Sequence, residues 1–297
     1  MKKRRSIISG LKNRRHTVNR GTNPNPTNIN VSKKIDDVFI ETNPSMINGY
    51  YNLHTQYEDN PLLYHLEVGF LIIATGKYDI FIEPLIQSIE KYVLPNNAKF
   101  YNIFSDKDIN LPITNYRVLP IEHRPFPYPT LNRFHFFSKY FSEIKGDQLI
   151  YIDADTLITS SIGTEILLPI TITQHCGYVN LSGTFETRIE SSTYVDPVNY
   201  KNYYGGGFYS LHREEFYDLM CECVSMIDLD SSKGIVPIWH DESALNKYFT
   251  EVTPNRVLSP SYHYPENIEH IYNLWGGKDK YPCKILLLSK NHKEIRE

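Results

Sequence analysis

The sequence predicts an α/β fold with a largely parallel central sheet and helices on its faces. Three observations support this: short continuous apolar runs, an apolar segment with helical spacing between two of them, and polar side chains directly after the runs. Such runs are typical of strands buried on both faces, and their alternation with helices favours right-handed parallel crossovers. Sheets of this kind bind ligands at the carboxyl ends of their strands.

The elements follow in order along the chain. The first predicted strand is the apolar run at residues 69–74, which Thr75-Gly76-Lys77 interrupts. Apolar residues then recur at helical spacing between residues 82 and 93, which predicts a helix. The remaining predictions are strands at residues 99–105, 116–119 and 148–152 and a helix over residues 132–144.

Composition divides the chain into three predicted parts. Residues 1–34 are basic, then rich in Asn, Pro and Thr, which predicts a disordered tail. Residues 35–66 are predicted to form an extension packed on the main domain, and residues 67–297 to form the α/β domain. Outside residues 1–20 acidic side chains outnumber basic ones, which argues against nucleic acid as a partner.

The basic residues at 1–20 have two interpretations, a solvated leader or a weak electrostatic contact with an anionic membrane surface. No apolar run approaches the roughly 18 residues that a membrane span requires, and no apolar region typical of a signal peptide follows the basic start. The four cysteines form no CxxC pair, which is typical of reduced thiols. We therefore expect a cytoplasmic protein without a transmembrane segment, with weak membrane-surface contact through the basic residues.

A pair of carboxylates follows the predicted strand at residues 148–152. Asp153 and Asp155 can point together into a cleft, and their oxygen atoms are ligands that suit Mn²⁺ and Mg²⁺. Aspartates also occur at strand ends as turn formers and helix caps. Both interpretations are open for this motif alone.

The segment Trp239-His240-Asp241-Glu242 precedes a predicted helix in which Leu245 faces the core. If the acidic residues open that helix, its dipole favours their ionised form. These acidic residues then either belong to a functional site or cap the helix.

Two further segments carry candidate residues. Gly205, Gly206 and Gly207 bring backbone close to a ligand or form a flexible turn. The basic end at residues 290–296 is either a solvated charge run or a clamp for a diphosphate.

Together these segments resemble glycosyltransferase family 6, which includes the histo-blood group A and B transferases. The resemblance extends from about Ile72 to Arg296. The matching tracts occur in the family's order: Ala74-Thr75-Gly76-Lys77-Tyr78, Asp-Ala-Asp at 153–155, His175-Cys176-Gly177-Tyr178, Tyr-Tyr-Gly-Gly-Gly at 203–207, Trp-His-Asp-Glu-Ser-Ala-Leu-Asn-Lys-Tyr at 239–248, Val-Leu-Ser-Pro at 257–260 and Lys-Asn-His-x-x-Ile-Arg at 290–296.

The resemblance implies a GT-A fold, in which a Rossmann-like, mostly parallel sheet with flanking helices adjoins an acceptor-binding part. It implies a retaining glycosyltransferase that moves N-acetylgalactosamine from UDP-GalNAc in α-1,3 linkage to a galactoside acceptor. The implied cofactor is Mn²⁺, with Mg²⁺ as the alternative. UDP-galactose as the donor, or a non-catalytic carbohydrate-binding protein, are the alternative functions.

Matched position by position, the resemblance implies the role of individual residues. On the donor side these are Ala74, Thr75 and Tyr78 at the uridine, Arg133 near the metal, Asp153 and Asp155 on the metal and diphosphate, Gly205, Gly206, Gly207 and Asp241 at the sugar, and Lys290 and Arg296 at the pyrophosphate. Glu242 is the implied catalytic carboxylate, facing the anomeric carbon and the acceptor. On the acceptor side these are His175, Thr184 and Trp239.

The choice of donor and the metal dependence also follow from this resemblance. Glycine at positions 205 and 207 leaves room for an acetamido group, which favours UDP-GalNAc. Retention of both aspartates predicts metal dependence. Two departures from the family pattern, Ala244 in place of a common His and Tyr128-Pro129-Thr130 in place of a Trp-containing stretch, affect the contacts expected with substrate.

Overall fold

The computed structural model describes residues 46–47, 50–51, 59–198, 200, 202–267 and 269–295. The predicted tail at residues 1–34 lies outside these ranges, as does most of the predicted extension at residues 35–66, so the division into three parts remains a prediction. Among the described residues, no helix combines the length and the apolar character that crossing a membrane requires.

The described strands and helices alternate through the first half of the chain. In chain order they are β1 (Met46–Ile47), β2 (Tyr50–Tyr51), β3 (Val68–Ile73), α1 (Ile82–Tyr92), β4 (Lys99–Ser105), β5 (Tyr116–Pro120), α2 (Tyr128–Leu131), α3 (Arg133–Tyr140), β6 (Gln148–Ile152), β7 (Thr156–Ile158) and β8 (Ile170–Gln174). The second half holds β9 (Tyr204–His212), α4 (Arg213–Ser232), α5 (Asp241–Tyr248), β10 (Arg256–Leu258), β11 (Tyr264–Pro265), α6 (Glu269–Trp275), β12 (Ile285–Leu287) and α7 (His292–Ile295).

The central sheet of the described residues has seven strands in the order β10-β8-β9-β6-β3-β4-β5. Strand β9 is antiparallel to both of its neighbours, and the other neighbouring pairs are parallel. The predicted α/β fold with a mostly parallel sheet and flanking helices is therefore confirmed.

Several elements match their sequence predictions closely. Strands β4 and β6 have the predicted bounds, and β3 lies one residue earlier than predicted. The helix predicted over residues 132–144 corresponds to α3, which ends earlier, at Tyr140, and the short α2 precedes it. The glycine segment at residues 205–207 is not a turn but the buried start of β9, where Gly205 pairs with Thr173 of β8 and the amide of Asp153 donates to the carbonyl of Gly207.

Burial in the sheet explains why these runs are apolar. Strand β6 is buried along its whole length, and helices α3, α4 and α5 pack around the same apolar cluster. Each fully buried large aliphatic or aromatic side chain contributes about 1.5–3 kcal/mol. Close packing also restricts position 69 in β3 to glycine, because an added Cβ would lie 1.9 Å from the carbonyl oxygen of Lys145.

The topology brings several strand ends to one edge of the sheet. Strands β3, β6, β8 and β10 end there, and the antiparallel β9 begins there. Ile152 at the end of β6 pairs with Phe208, and Thr173 near the end of β8 pairs with Gly205. A small sheet of β7, β12 and β11 brings the last described residues to the same edge, where the amide of Leu288 donates to the carbonyl of Asp155.

Candidate active site

The aspartate pair lies directly after β6 at this edge. The backbone amide of Asp153 donates to the carbonyl of Gly207 over 3.0 Å, and the Tyr151 hydroxyl donates to Oδ1 of Asp153 over 2.6 Å. An added Cβ on Gly207 would lie only 2.9 Å from Oδ2 of Asp153. Glycine at 207 therefore allows the strand to approach this carboxylate closely.

Arg133 connects the aspartate to the acidic helix. Its guanidinium is buried, donates to the carbonyl of Gly206, lies 3.0 Å from Oδ2 of Asp241 and lies 3.4 Å from Oδ1 of Asp153. The guanidinium carbon also lies 4.0 Å from the ring centroid of Tyr151. Burial opposes the charge, but Asp241, Tyr151 and Asp153 together raise the pKa of Arg133, so this side chain is a fixed cation.

The acidic residues Asp241 and Glu242 form the first turn of α5, as the sequence predicts. Asp241 is buried, while Glu242 is half-buried and accepts a 2.8 Å hydrogen bond from the amide of Gly206. Burial is the main cause that raises the pKa of each carboxyl group to about 7; Arg133 opposes this shift in both, and the Gly206 amide opposes it at Glu242. The helix therefore presents two carboxyl groups that can gain or lose a proton near neutral pH.

This shift predicts how stability depends on pH. The pKa of Glu242 rises from its ordinary 4.5 to about 7 on folding. Between these values the folded protein holds a proton that the unfolded chain has released, so stability decreases as pH rises. We expect the stability of the wild type relative to Glu242→Gln to fall between about pH 5 and pH 8, as measured by urea unfolding. A pH-independent difference between the wild type and Glu242→Gln would contradict the shift.

Charge around this point favours a further cation. Among the described residues, the guanidinium of Arg133 faces the carboxyl groups of Asp153, Asp241 and Glu242. Asp153 and Asp155 offer oxygen atoms, which are the ligands that Mn²⁺ and Mg²⁺ prefer. The oxygen atoms of the aspartate pair therefore fit a hard divalent cation.

A cleft adjoins the aspartate pair. The cleft is lined by residues at the ends of β3 and β6, by residues in and before α2 and α3, and by residues near the end of the described chain. They are Ile73, Thr75, Tyr78, His123, Arg124, Phe126, Pro129, Thr130, Arg133, Tyr151, Asp153, Ala154, Asp155, Lys290 and Ile295. The predicted donor residues Thr75, Tyr78, Arg133, Asp153 and Asp155 thus come together. Ala74 is fully buried and does not belong to this lining.

The end of the described chain lies against this cleft. Lys290 forms an ion pair with Asp155, and its ammonium lies 5.1 Å from the ring centroid of Tyr78. Lys77 donates to the carbonyl of Glu294 over 2.6 Å and holds α7 close to the start of the cleft. Lys290 and Ile295 of the basic end therefore line the cleft, residues 291–294 are exposed, and Arg296 lies outside the described residues.

Two of the predicted acceptor residues, His175 and Thr184, lie close together around Tyr178. The ring of His175 follows β8 and contacts the rings of Tyr178, Tyr203 and His263, and the hydroxyl groups of Tyr178 and Thr184 contact each other. Trp239 precedes α5 and is 44% exposed, so its indole can stack against a ligand.

His175 and Cys176 are uncharged, unlike the aspartate pair. Burial lowers the pKa of His175 to about 4 and raises the pKa of the Cys176 thiol to about 12. These two side chains and His263 have potential ligand atoms within 4.8 Å of one another. Because the thiol is uncharged in this environment, the aspartates are the better cation ligands.

The three glycines at the start of β9 face different side chains. Successive residues of a strand face opposite sides, so Gly206 faces Arg133 and Glu242 while Gly205 and Gly207 face His263. The room expected above Gly205 and Gly207 is therefore occupied by an imidazole ring.

Sequence reasoning missed two residues that the structure places in the site. The hydroxyl of Tyr151 donates a hydrogen bond to Asp153, and its ring packs against the guanidinium of Arg133. The ring of His263 packs against Gly205 and Gly207. Tyr151 lies two residues before Asp153, and a hydroxyl at that spacing on one strand face is a signal that could have identified it. His263 has no comparable signal, because only the turn after β10 brings it to β9.

The chain matches known proteins along most of its length. Residues 6–297 match the model of glycosyltransferase family 6. The chain is 27% identical over 296 residues to Histo-blood group ABO system transferase 2 of Rattus norvegicus, which covers 94% of this chain and 86% of that protein.

Two further relatives differ in the sugar that their names specify. Globoside alpha-1,3-N-acetylgalactosaminyltransferase 1 of Gallus gallus is 26% identical, over 78% of this chain and 70% of the relative. Alpha-1,3-galactosyltransferase 2 of Homo sapiens is 23% identical, over 69% of this chain and 64% of the relative.

Proposed function

Because the chain belongs to glycosyltransferase family 6 and is a hexosyltransferase, we propose that it moves N-acetylgalactosamine from UDP-GalNAc in α-1,3 linkage to a galactoside acceptor. We propose that the reaction retains the α-configuration and requires Mn²⁺, with Mg²⁺ as the alternative. The observation that carries this proposal is that the buried guanidinium of Arg133 contacts both Asp153, after β6, and Asp241, which precedes Glu242 in the first turn of α5.

The diphosphate of the donor is proposed to bind at the aspartate pair. A divalent cation held by Asp153 and Asp155 would stabilise the negative charge that develops on the departing UDP. Lys290 already lies beside Asp155 and can donate to phosphate oxygens from there. Thr75 and Tyr78 line the same cleft, which supports their proposed place at the uridine. Arg296 is proposed to join Lys290 at the pyrophosphate.

Glu242 is the proposed catalytic residue. The Gly206 amide fixes one carboxylate oxygen over 2.8 Å, so the side chain is oriented before substrate binds. A carboxylate stabilises the positive charge that develops on the anomeric carbon as UDP leaves. Retention follows either from a covalent glycosyl-Glu242 intermediate or from a front-face reaction that Glu242 supports, and both use the same carboxylate.

Asp241 and the acceptor residues have distinct proposed tasks. Asp241 is held by Arg133 and is proposed to accept hydrogen bonds from hydroxyl groups of the donor sugar. His175, Thr184 and Trp239 are proposed to bind the galactoside, with the exposed indole as its apolar platform.

UDP-galactose is the second candidate donor. The His263 ring, which fills the room above Gly205 and Gly207, favours a sugar with a smaller substituent. The name of the relative from Gallus gallus supports N-acetylgalactosamine instead. Galactose and N-acetylgalactosamine differ only at carbon 2, so the same site architecture serves either proposal.

Location is a separate proposal. The basic side chains within residues 1–20 support a weak contact with an anionic membrane surface, and the free cysteines among the described residues support a reducing, cytoplasmic setting. Sedimentation with anionic vesicles, before and after neutral substitution of these basic residues, tests the surface contact.

Release of UDP tests the proposed reaction. We expect acceptor-stimulated release from UDP-GalNAc or UDP-galactose with β-galactosides in Mn²⁺, and loss of that release in EDTA. Asp155→Asn should lower the Mn²⁺-dependent rate by about 10²-fold. It removes a proposed ligand of the cation that stabilises the negative charge on the departing UDP. The exposed Asp108→Asn is the matched control and should retain the wild-type rate. Release that persists in EDTA would contradict the proposed metal dependence.

A further inference from the structure

The imidazole of His263 packs directly on the glycine segment. An added Cβ on Gly205 would lie 3.1 Å from Cε1 and Nδ1 of His263, and one on Gly207 would lie 3.0 Å from Nε2. Both distances are too short for an ordinary carbon contact. Positions 205 and 207 therefore need glycine because the ring takes the space that two side chains would use.

The ring has unused hydrogen-bonding capacity. His263 is 8% exposed, and Nδ1 is buried without a hydrogen-bond partner among the described residues. Burial, helped by His175, lowers the pKa of His263 to about 3, so the ring is neutral near physiological pH. A buried polar atom without a partner costs about 1–3 kcal/mol, which a ligand atom can offset.

The donor sugar must lie close to this ring. Its carbon 1 bonds to the diphosphate, for which the aspartate pair is the proposed site, and an added Cβ on Gly207 would touch both Asp153 and His263. Glu242, which must reach carbon 1, is hydrogen-bonded to the intervening Gly206. Carbon 2 is the ring neighbour of carbon 1, so its substituent is the one that both the aspartate and the glycine segment confine.

We propose that His263 is a specificity-determining residue that restricts the carbon-2 substituent of the donor sugar. This inference rests on the proposed use of a UDP-sugar. The ring reduces the room available to an acetamido group, and its neutral nitrogen can form a hydrogen bond with a smaller hydroxyl group. Glycine at 205 and 207 therefore does not by itself make room for an acetamido group, because the His263 ring occupies the space that the missing side chains leave.

Two substitutions test this inference. His263→Ala should increase the ratio of kcat/KM for UDP-GalNAc to that for UDP-galactose by at least about tenfold, since one added or missing group in a pocket changes discrimination by about 10–200-fold. His263→Asn, which keeps a polar group in a smaller volume, should give an intermediate ratio. Thermal unfolding and calorimetric binding of both donors, in Mn²⁺, establish that each variant is folded and binds.

His175→Ala is the matched control. It removes a neighbouring half-buried imidazole that contacts His263 with a centroid distance of 5.2 Å, whereas the atoms nearest to a Cβ added on Gly205 are those of His263. This variant should change the KM for the acceptor and leave the donor ratio within about threefold of the wild type, well below the tenfold expected for a pocket residue.

The possible results separate this inference from the proposed function. A folded His263→Ala that binds donors with an unchanged ratio would overturn the inference and leave the glycosyl transfer intact. An equal change of the ratio in His175→Ala would also overturn it, because the effect would then belong to the whole acceptor group. Failure of the wild type to bind either UDP-sugar would refute the proposed donor class, and the inference with it.

Discussion

Glu242→Gln should lower kcat by about 10³-fold while donor affinity, measured by calorimetry with UDP-GalNAc or UDP-galactose, stays within about threefold. Glutamine has the shape of glutamate and keeps an oxygen that can accept from the Gly206 amide, so the first turn of α5 should remain in place. The substitution removes the negative charge that stabilises the anomeric carbon. Binding survives because the proposed diphosphate contacts lie at Asp153, Asp155 and Lys290.

The exposed Glu251→Gln is the matched control for this loss. Glu251 follows α5 and pairs with Lys247 at the surface, so its substitution should leave kcat unchanged. Near-wild-type turnover in Glu242→Gln would exclude this carboxylate as the catalytic residue. Donor and galactoside binding by a wild type that shows no turnover would instead favour the non-catalytic carbohydrate-binding alternative.

Arg133→Ala should lower the free energy of unfolding by about 3–5 kcal/mol, because it leaves buried carboxyl groups without their cation. Asp241 is buried against the guanidinium, and the Gly206 carbonyl also loses its donor. Because the pKa of Asp241 is about 7, protonation can relieve part of the cost in acid. Urea unfolding should therefore show a larger loss at about pH 8 than at about pH 5.5.

Two variants establish the origin of this destabilisation. Arg117→Ala removes a partly exposed guanidinium that lies 3.7 Å from Glu143, and it should cost about 1 kcal/mol or less. In the double variant of Arg133→Ala with Asp241→Asn, the uncompensated charge is absent, so the two effects should not add. A loss below about 1 kcal/mol in Arg133→Ala would show that the buried carboxyl groups find another counterion or remain protonated.

Tertiary structure also changes the interpretation of the glycine segment at residues 205–207. Sequence reasoning permitted a flexible turn at residues 205–207 and open room for an acetamido group. The segment is instead the start of β9, where Gly205 pairs with Thr173 of β8, and His263 from the turn after β10 lies against it. Neither neighbour is close in sequence, so local patterns carried no signal for either result.

Local patterns alone determined the elements whose burial is continuous and the residues at their ends. The apolar runs of β4 and β6 gave those strands their bounds, and helical spacing identified α1, because burial on a sheet face selects apolar side chains at a fixed period. The same reasoning placed Asp153 at a strand end and Asp241 and Glu242 in a helical first turn.

Only the tertiary structure decided which of these residues meet. Arg133 joins Asp153 to Asp241 across more than 100 positions of sequence, Lys290 reaches Asp155 through the β12 pairing, and His263 occupies the space above two glycines. These contacts depend on strand order and on the antiparallel direction of β9. Both are set by packing among distant segments, and no local period of the sequence encodes them.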